Sequence, residues 1–390
     1  MGPSSLLFVT PQVRSRESYL LQLLSELVPV SVLSLYPPYR PVDARGPHPI
    51  EHRIVPSWKW LWPAEQWIGD WTSAIPFTCS SSLIRELRKL RSQDHSPRWI
   101  WFSGASMAGV VQQAQGLGYR VIVDQDRMPS SQVLRDASNH WAHWIRLPEA
   151  WRDLYYERRR CERAHAVVAS SPLYAARARK LAPQARVRVV APSVDLSGFE
   201  AARRPEGTRL VFCGDLEDPA QQQGVHWFAE EILPRLRAAL RADTPEVLVA
   251  GPAAPRGFLE KLSLDGIQHR TWDKNDSRGA TESMQECLQQ AMICFLPHRK
   301  RNAGFQFLLH SMAAGRPVVS TACGSEGLLF TPGRDIWMDD EPDSFTSALI
   351  KLIRDPRLRM STAAFATEMV RRHYDWTSAR EGLAELLREL

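Results

Sequence analysis

No stretch of this chain approaches the roughly 18 consecutive apolar residues that a membrane-spanning helix requires, so any membrane contact is expected to be peripheral. The start, Met1-Gly2-Pro3-Ser4-Ser5-Leu6-Leu7-Phe8-Val9-Thr10, has no basic region before a short apolar run, which argues against a secretory signal. Cysteine is sparse. Cys79, Cys161, Cys213, Cys287, Cys294 and Cys323 form no C-x-x-C pair and no metal-ligand spacing, so the usual zinc and dithiol signatures are excluded. Cys213 and Cys294 sit in apolar runs as small hydrophobes, and a reducing, cytoplasmic setting is expected.

What is present suits a two-domain globular protein. A 390-residue chain with 44% hydrophobic residues buries a large core and usually divides in two. The formal charge of +6 is carried mostly by arginine. It suits an anionic partner: phosphate, acidic lipid or nucleic acid. Arg158-Arg159-Arg160, with Glu157 and Glu162, reads as a solvated helix face. It lacks the aromatic–basic interleaving of single-strand binders, so no nucleic acid is expected there.

Short apolar runs alternate with helical spacings along the whole chain. Runs near 6–9, 28–35, 99–102, 119–124, 165–170 and 186–190 read as strands, with helical patterns at 16–27, 107–116, 149–163 and 173–181. The second half repeats this: strands near 210–213, 247–250, 266–272, 292–296 and 317–320, helices near 224–240, 282–290, 305–314, 342–354, 357–372 and 378–390. Such alternation implies parallel sheets covered on both faces. The polar segment from Ala191-Pro192-Ser193-Val194-Asp195 to Pro205-Glu206-Gly207 separates the halves. The expected domains are 1–192 and 193–375, with 376–390 crossing back to the first. In open parallel sheets ligands bind beyond the carboxyl ends of the strands. The loops after Cys213, Ala250, Leu296 and Thr321 are therefore candidates.

Several segments carry a family likeness. Leu210-Val211-Phe212-Cys213-Gly214 precedes a loop and then Gly224-Val225-His226-Trp227-Phe228-Ala229-Glu230-Glu231-Ile232-Leu233-Pro234. Met312-Ala313-Ala314-Gly315-Arg316-Pro317-Val318-Val319 reads as helix, turn and strand, and Ser325-Glu326-Gly327-Leu328, Gly333-Arg334-Asp335 and His373-Tyr374-Asp375-Trp376 follow. In these segments the chain resembles family 4 glycosyltransferases, especially bacterial exopolysaccharide sugar transferases. The resemblance implies an α/β protein with two Rossmann-like doubly wound domains facing a cleft, the GT-B architecture. It implies a retaining, metal-independent hexosyl transfer with no cofactor and a nucleotide-sugar as co-substrate. A glycan or lipid-linked acceptor would meet the first domain.

The resemblance also implies site residues. Arg299 and Arg301, with Gly304 and the loop Ser325, Glu326, Gly327 and Leu328, would hold the diphosphate, because amides of small-residue loops and guanidinium groups suit phosphate. Gly214 would line the loop after the first strand of the second domain. Asp124 and Asp126, at a strand end in the first domain, are candidates to contact the acceptor hydroxyl or the sugar. Acidic residues at strand ends also commonly serve as helix caps or salt-bridge partners, and either one taken alone reads first as that. The family pattern is incomplete. His310 stands where relatives carry a ribose-binding carboxylate, Asn302 replaces the earlier acidic residue, and Phe307 a lysine. The loop Asp215-Leu216-Glu217-Asp218 is acidic, and Pro11-Gln12-Val13-Arg14-Ser15-Arg16 has no glycine, leaving Arg14 and Arg16 as its cations. Two readings stay open: a donor site re-ordered around these arginines, or a binding or scaffold protein that kept the fold and lost turnover.

Two local features stand apart. Five of the fourteen tryptophans fall at Trp58, Trp60, Trp62, Trp67 and Trp71, which suits sugar stacking, a membrane interface or core packing. His140 and His143 share a helical spacing with no third ligand near.

Overall fold

The computed structural model describes residues 5–11, 13, 15–36, 46–55, 77–93, 97–104, 108–125, 130, 147–196, 199, 207–252, 254–273, 277–299, 305–325 and 327–390. It divides into two compact units: Met1–Ala191 with Arg380–Leu390, and Pro192–Ala379.

The first unit holds a seven-stranded sheet in the order β3-β2-β1-β4-β5-β6-β7. Its strands are β1 (Leu6–Thr10), β2 (Val30–Ser34), β3 (Ile50–Ile54), β4 (Trp99–Phe102), β5 (Arg120–Gln125), β6 (Ala166–Ala169) and β7 (Val187–Val189), and every pairing is parallel. β1 is buried along its whole length because both faces are covered. Alternate residues serve the two faces. Leu7 and Val9 join Ile100, Phe102, Val121 and Val123 against Leu83 and Leu87 of the helix Phe77–Arg91 and Val110, Val111 and Ala114 of the helix Ala108–Gly116. Phe8 faces the other way, stacked on Trp101 at 6.1 Å. The unit is closed by Arg380, which reaches Glu26 at 2.8 Å, and by a pair between Arg188 and Glu389.

The second unit holds a six-stranded parallel sheet in the order β10-β9-β8-β11-β12-β13. These are β8 (Arg209–Cys213), β9 (Val247–Pro252), β10 (Gln268–Trp272), β11 (Ala291–Leu296), β12 (Val318–Ser320) and β13 (Trp337–Met338). Counted from its own first strand, the order is 3-2-1-4-5-6, the Rossmann arrangement, and the first sheet follows it with one strand more. After β8 the chain runs as one long helix, α-helical over Pro219–Trp227, π-helical over Phe228–Ile232 and α-helical again over Leu233–Leu240. Phe228 in the π-helical turn stacks on Phe295 of β11 at 4.0 Å, which ties this helix to the sheet centre.

Three glycines set how closely the strand ends approach. A Cβ on Gly251 would overlap the Gly214 carbonyl oxygen, one on Gly214 would overlap Gln221 Oε1, and one on Gly224 would overlap the Pro297 carbonyl oxygen. We expect Gly251→Ala to cost about 1–3 kcal/mol through backbone displacement. Urea unfolding checks this, and an unchanged midpoint would show that the β8 and β9 exits can spread apart.

Candidate functional site

Each sheet reverses its winding at its first strand, between β1 and β4 in the first unit and between β8 and β11 in the second. The carboxyl ends at these points are where ligands enter doubly wound sheets.

At that edge of the first unit the chain assembles a buried ionic network. Arg16, in the first turn of the helix Ser15–Ser25 that follows β1, forks onto Asp124 at the end of β5. Nε lies 3.1 Å from Oδ2 and Nη2 lies 2.9 Å from Oδ1, and Nη1 donates to the Val190 carbonyl at 3.2 Å. The Asp124 side chain has 0% exposure and that of Arg16 10%. Ser103, just after β4, lies 3.0 Å from Glu17 and 3.3 Å from Asp124. Two residues expected to act separately, on phosphate and on sugar, thus face each other.

A second group lies beside it. Arg160 donates to the Gly104 carbonyl at 2.7 Å and to the Gln125 side chain. Glu157 accepts from the Ser130 backbone at 3.1 Å and from its hydroxyl at 2.6 Å. Burial lowers the Arg160 pKa and raises that of Glu157. This corrects the reading of 157–160 as a solvated face. Arg158 is exposed and paired with Glu162, but Arg160 is only 1% exposed and Glu157 is buried with it. The helix Leu147–Arg163 turns Ala150, Asp153, Glu157, Arg160 and Cys161 inward. That 3- and 4-residue spacing was the signal in the sequence, masked because three of the five residues are charged.

At the switch point of the second unit, the loop after β8 closes on itself. Asp218 accepts from Ala220 N at 2.9 Å and so caps the helix starting at Pro219. Asp215 accepts from Glu217 N at 3.1 Å, and its own amide donates to Gln221 Oε1 at 2.9 Å. The negative charge of this loop thus has a local purpose: carboxylates satisfy the amide donors that a phosphate would otherwise meet. Proline at the first helical position and aspartate before it place this start at Pro219, earlier than the expected Gly224.

The loop after β11 presents His298 and Arg299. His298 is 2% exposed, its Nδ1 has no hydrogen-bond partner, and its ring meets Phe212 edge-on at 5.8 Å. Burial drops its pKa to about 4, so the ring is neutral near pH 7. Its carbonyl accepts from Thr321 Oγ1 at 2.5 Å, which links the exits of β11 and β12. Sequence reasoning passed over His298, because a single histidine after a proline carries no pattern. Arg299 is exposed. Its Nη1 donates to the Asp340 carbonyl at 2.8 Å, and its guanidinium lies over Trp227 at 5.0 Å. His310 lies in the last turn of the helix Phe305–Ala313, against Phe199 at 5.2 Å.

The loop after β12 begins as the short helix Ala322–Ser325. The Ala322 amide meets Asp340 Oδ1 at 2.9 Å, Ser325 Oγ lies 2.6 Å from the Met338 sulfur, and the Leu328 amide donates to the Ser325 carbonyl at 3.2 Å. Gly327 has φ +83°, which only glycine adopts without strain. The next amide, Leu329, donates to the Tyr374 hydroxyl at 2.6 Å, and burial pushes that phenol up to about 12. Arg14, Asp126, Arg301, Gly304 and Glu326 lie outside the described residues, as do the tryptophan segment 58–71 and His140 and His143. Among the described residues no cluster of His, Cys, Asp or Glu could hold a metal ion.

The family described as Glycosyl transferases group 1 matches residues 207–355. The segments at Leu210, Gly224, Met312, Ser325 and Gly333 that carry the resemblance all fall inside this span, and His373-Tyr374-Asp375-Trp376 falls beyond it. No curated protein matches the sequence. Solved structures match over nearly the whole chain. Sucrose-phosphate synthase from Thermosynechococcus elongatus aligns at TM-score 0.71 and 14% identity, covering 99% of this chain and 98% of that one. Anabaena HepE in complex with UDP and glucose aligns at TM-score 0.63 and 11% identity, covering 99% of each chain. An α,α-trehalose-phosphate synthase from Burkholderia xenovorans aligns at TM-score 0.64 and 12% identity, covering 98% of each. The fold is GT-B. Within this GT-B chain the family match sits on the unit whose strand ends carry His298, Arg299 and the Ser325–Leu328 loop.

Proposed function

We propose that this chain is a glycosyltransferase that moves a hexosyl group from a nucleotide-sugar to a hydroxyl acceptor on a glycan or lipid-linked sugar, with retention and without a metal. The observation that carries this reading is the family match over 207–355, which lies on a Rossmann-ordered unit. HepE, of the same fold, was solved with UDP-glucose. That favours a uridine diphosphate sugar as the first donor to try.

In such a transfer the bond from the anomeric carbon to the diphosphate oxygen breaks. The acceptor oxygen bonds to that carbon and gives up its proton. Negative charge grows on the departing diphosphate, so positive groups and amide donors lower the barrier. Arg299 would meet the diphosphate together with Arg301, Gly304 and the loop Ser325, Glu326, Gly327 and Leu328. His310 would sit beside the ribose, where a neutral imidazole offers one acceptor against a carboxylate's several. Asp126 remains the first-unit candidate on the acceptor side. Asp124 and Arg16 would position the strand ends through their ion pair, with Arg14 left as that loop's cation toward the donor.

Titration calorimetry with UDP-, GDP- and dTDP-sugars tests the reading, followed by product analysis with and without acceptor. Arg299→Ala is expected to weaken donor binding about tenfold, the value of one charge-assisted hydrogen bond. Unchanged affinity in that variant would remove Arg299 from the site, and no binding to any donor would overturn sugar transfer. The self-closed acidic loop after β8 favours a second reading, a binding or scaffold protein. Donor binding without turnover is its signature.

A further inference from the structure

The positive charge of this chain belongs to one unit. Met1–Ala191 with Arg380–Leu390 holds 27 arginines and lysines against 18 aspartates and glutamates, whereas Pro192–Ala379 holds 22 against 25. Within the basic unit, the helix Leu147–Arg163 carries Arg152, Arg158, Arg159, Arg160 and Arg163, and only Arg160 of these is buried. Its outward face also carries the two most exposed aromatic side chains among the described residues, Trp151 at 69% and Tyr155 at 54%.

Helical phase puts these groups on one arc. Trp151, Tyr155, Arg158, Arg159 and Glu162 follow at intervals that keep one side outward, opposite the inward stripe of Asp153, Glu157 and Arg160. Arg159 lies over the Tyr155 ring at 5.3 Å, and Tyr156 meets that ring edge-on at 5.5 Å. Glu162 is the one acid on the arc, and Arg158 neutralises it at 2.7 Å. Arg152 extends the basic edge, with its carboxylate partner Asp153 turned inward. Trp151 and Tyr155 lie one helical turn apart, so their rings form one exposed apolar patch rimmed by charged groups, the kind that marks an interaction surface. Rings with polar tips, flanked by guanidinium groups, match the interface of a bilayer rather than its core.

We infer that the outward face of the helix Leu147–Arg163 docks on an anionic lipid bilayer, with Trp151 and Tyr155 seated among the headgroups and Arg152, Arg158 and Arg159 facing lipid phosphates. The helix lies along the surface and does not cross it; among the described residues no helix is long and apolar enough to do so. The inference deepens the proposed function, since a lipid-linked acceptor brings the chain to a membrane. Lipid binding is measured without donor or acceptor, so the two ideas fail separately.

The test is co-sedimentation of the full chain with vesicles of equimolar phosphatidylcholine and phosphatidylglycerol, against phosphatidylcholine alone, at low and high salt. The wild type is expected to pellet with the anionic vesicles and to be released by salt. Trp151→Ser with Tyr155→Ser, and separately Arg158→Gln with Arg159→Gln, should each weaken binding about tenfold, because apolar area and surface charge both contribute. All four side chains are outward, so thermal transitions should match the wild type, and the two pairs check each other. Equal pelleting by wild type and both variants would overturn the inference. So would absence of pelleting with anionic vesicles, or capture by a single-stranded oligonucleotide in their place. UDP-glucose titration of the variants should equal that of the wild type. Loss of donor binding in every form, with lipid binding intact, would sink sugar transfer and leave this docking face standing.

Discussion

Arg16→Ala is expected to destabilise the first unit by about 3–5 kcal/mol, the range seen when one partner of a buried ion pair is removed. The carboxylate of Asp124 is the reason. Its side chain has no exposure, and it accepts from the Arg16 fork and from the Ser103 hydroxyl. Deleting the guanidinium removes two charge-assisted hydrogen bonds from a fully buried carboxylate at the carboxyl ends of β1, β4 and β5. Asp124→Asn should cost less, because an amide is cheaper to bury than an unpaired charge. The double variant should cost less than the two single costs added, since the second change removes the charge exposed by the first. Urea unfolding of the four proteins gives the coupling. Strict additivity would show that the pair contributes no interaction energy. Activity separates position from chemistry: if Asp124 only holds the strand ends, Asp124→Asn should keep kcat close to wild type wherever the protein is folded. A large fall in kcat at unchanged stability would give Asp124 a chemical role.

Most of the architecture was legible because parallel strands covered on both faces are written as unbroken apolar runs. Leu6–Thr10, Trp99–Phe102 and Ala291–Leu296 stand out for that reason. Ile50–Ile54 did not. Among the described residues it is an edge strand, paired only with β2 and carrying Glu51, His52 and Arg53 at its centre, so nothing there forces it to be apolar. Trp337–Met338 escaped notice because two residues carry no period. The division at Ala191 and Pro192 falls within the polar, proline-bearing segment that separates the two series of strands.

The candidate site was legible in part, and for a different reason. Motifs mark where the backbone must turn or approach closely: the family likeness drew attention to Gly214 and Gly327, where a Cβ would overlap Gln221 Oε1 and where φ is +83°. Polar partners come from distant parts of the sequence and leave no local trace. Arg16 and Asp124 are 108 residues apart, and Thr321 reaches back 23 residues to the His298 carbonyl. Spacing could locate each residue but not its partner. The acidic loop after β8 shows the same limit: read as charge it argues against phosphate, while read as hydrogen bonds it is a cap and a closed turn.

Lowering the pH should destabilise the second unit by about 3 kcal/mol between pH 6.5 and 4 through His298 alone. The sign follows from proton uptake. The folded state holds this imidazole near pKa 4 because burial penalises its charged form, whereas the unfolded chain titrates near 6.5. Between those values the unfolded state binds more protons, so stability rises with pH. The full contribution is present above 6.5 and is lost as pH falls toward 4, at 1.36 kcal/mol for each unit of difference, or about 2 kcal/mol already at pH 5. His298→Phe supplies the control: it keeps a ring of similar size against Phe212, deletes the unpartnered Nδ1 and cannot titrate. Urea unfolding at pH 7, 6 and 5 should show the wild type losing ground to His298→Phe across that window. Parallel pH profiles would mean that the folded state protonates His298 as readily as water does. Residues 297–299 after β11 would then open to solvent at little cost. That outcome would weaken the case for a rigid donor-side edge, since the Thr321 bond to the His298 carbonyl joins the exits of β11 and β12.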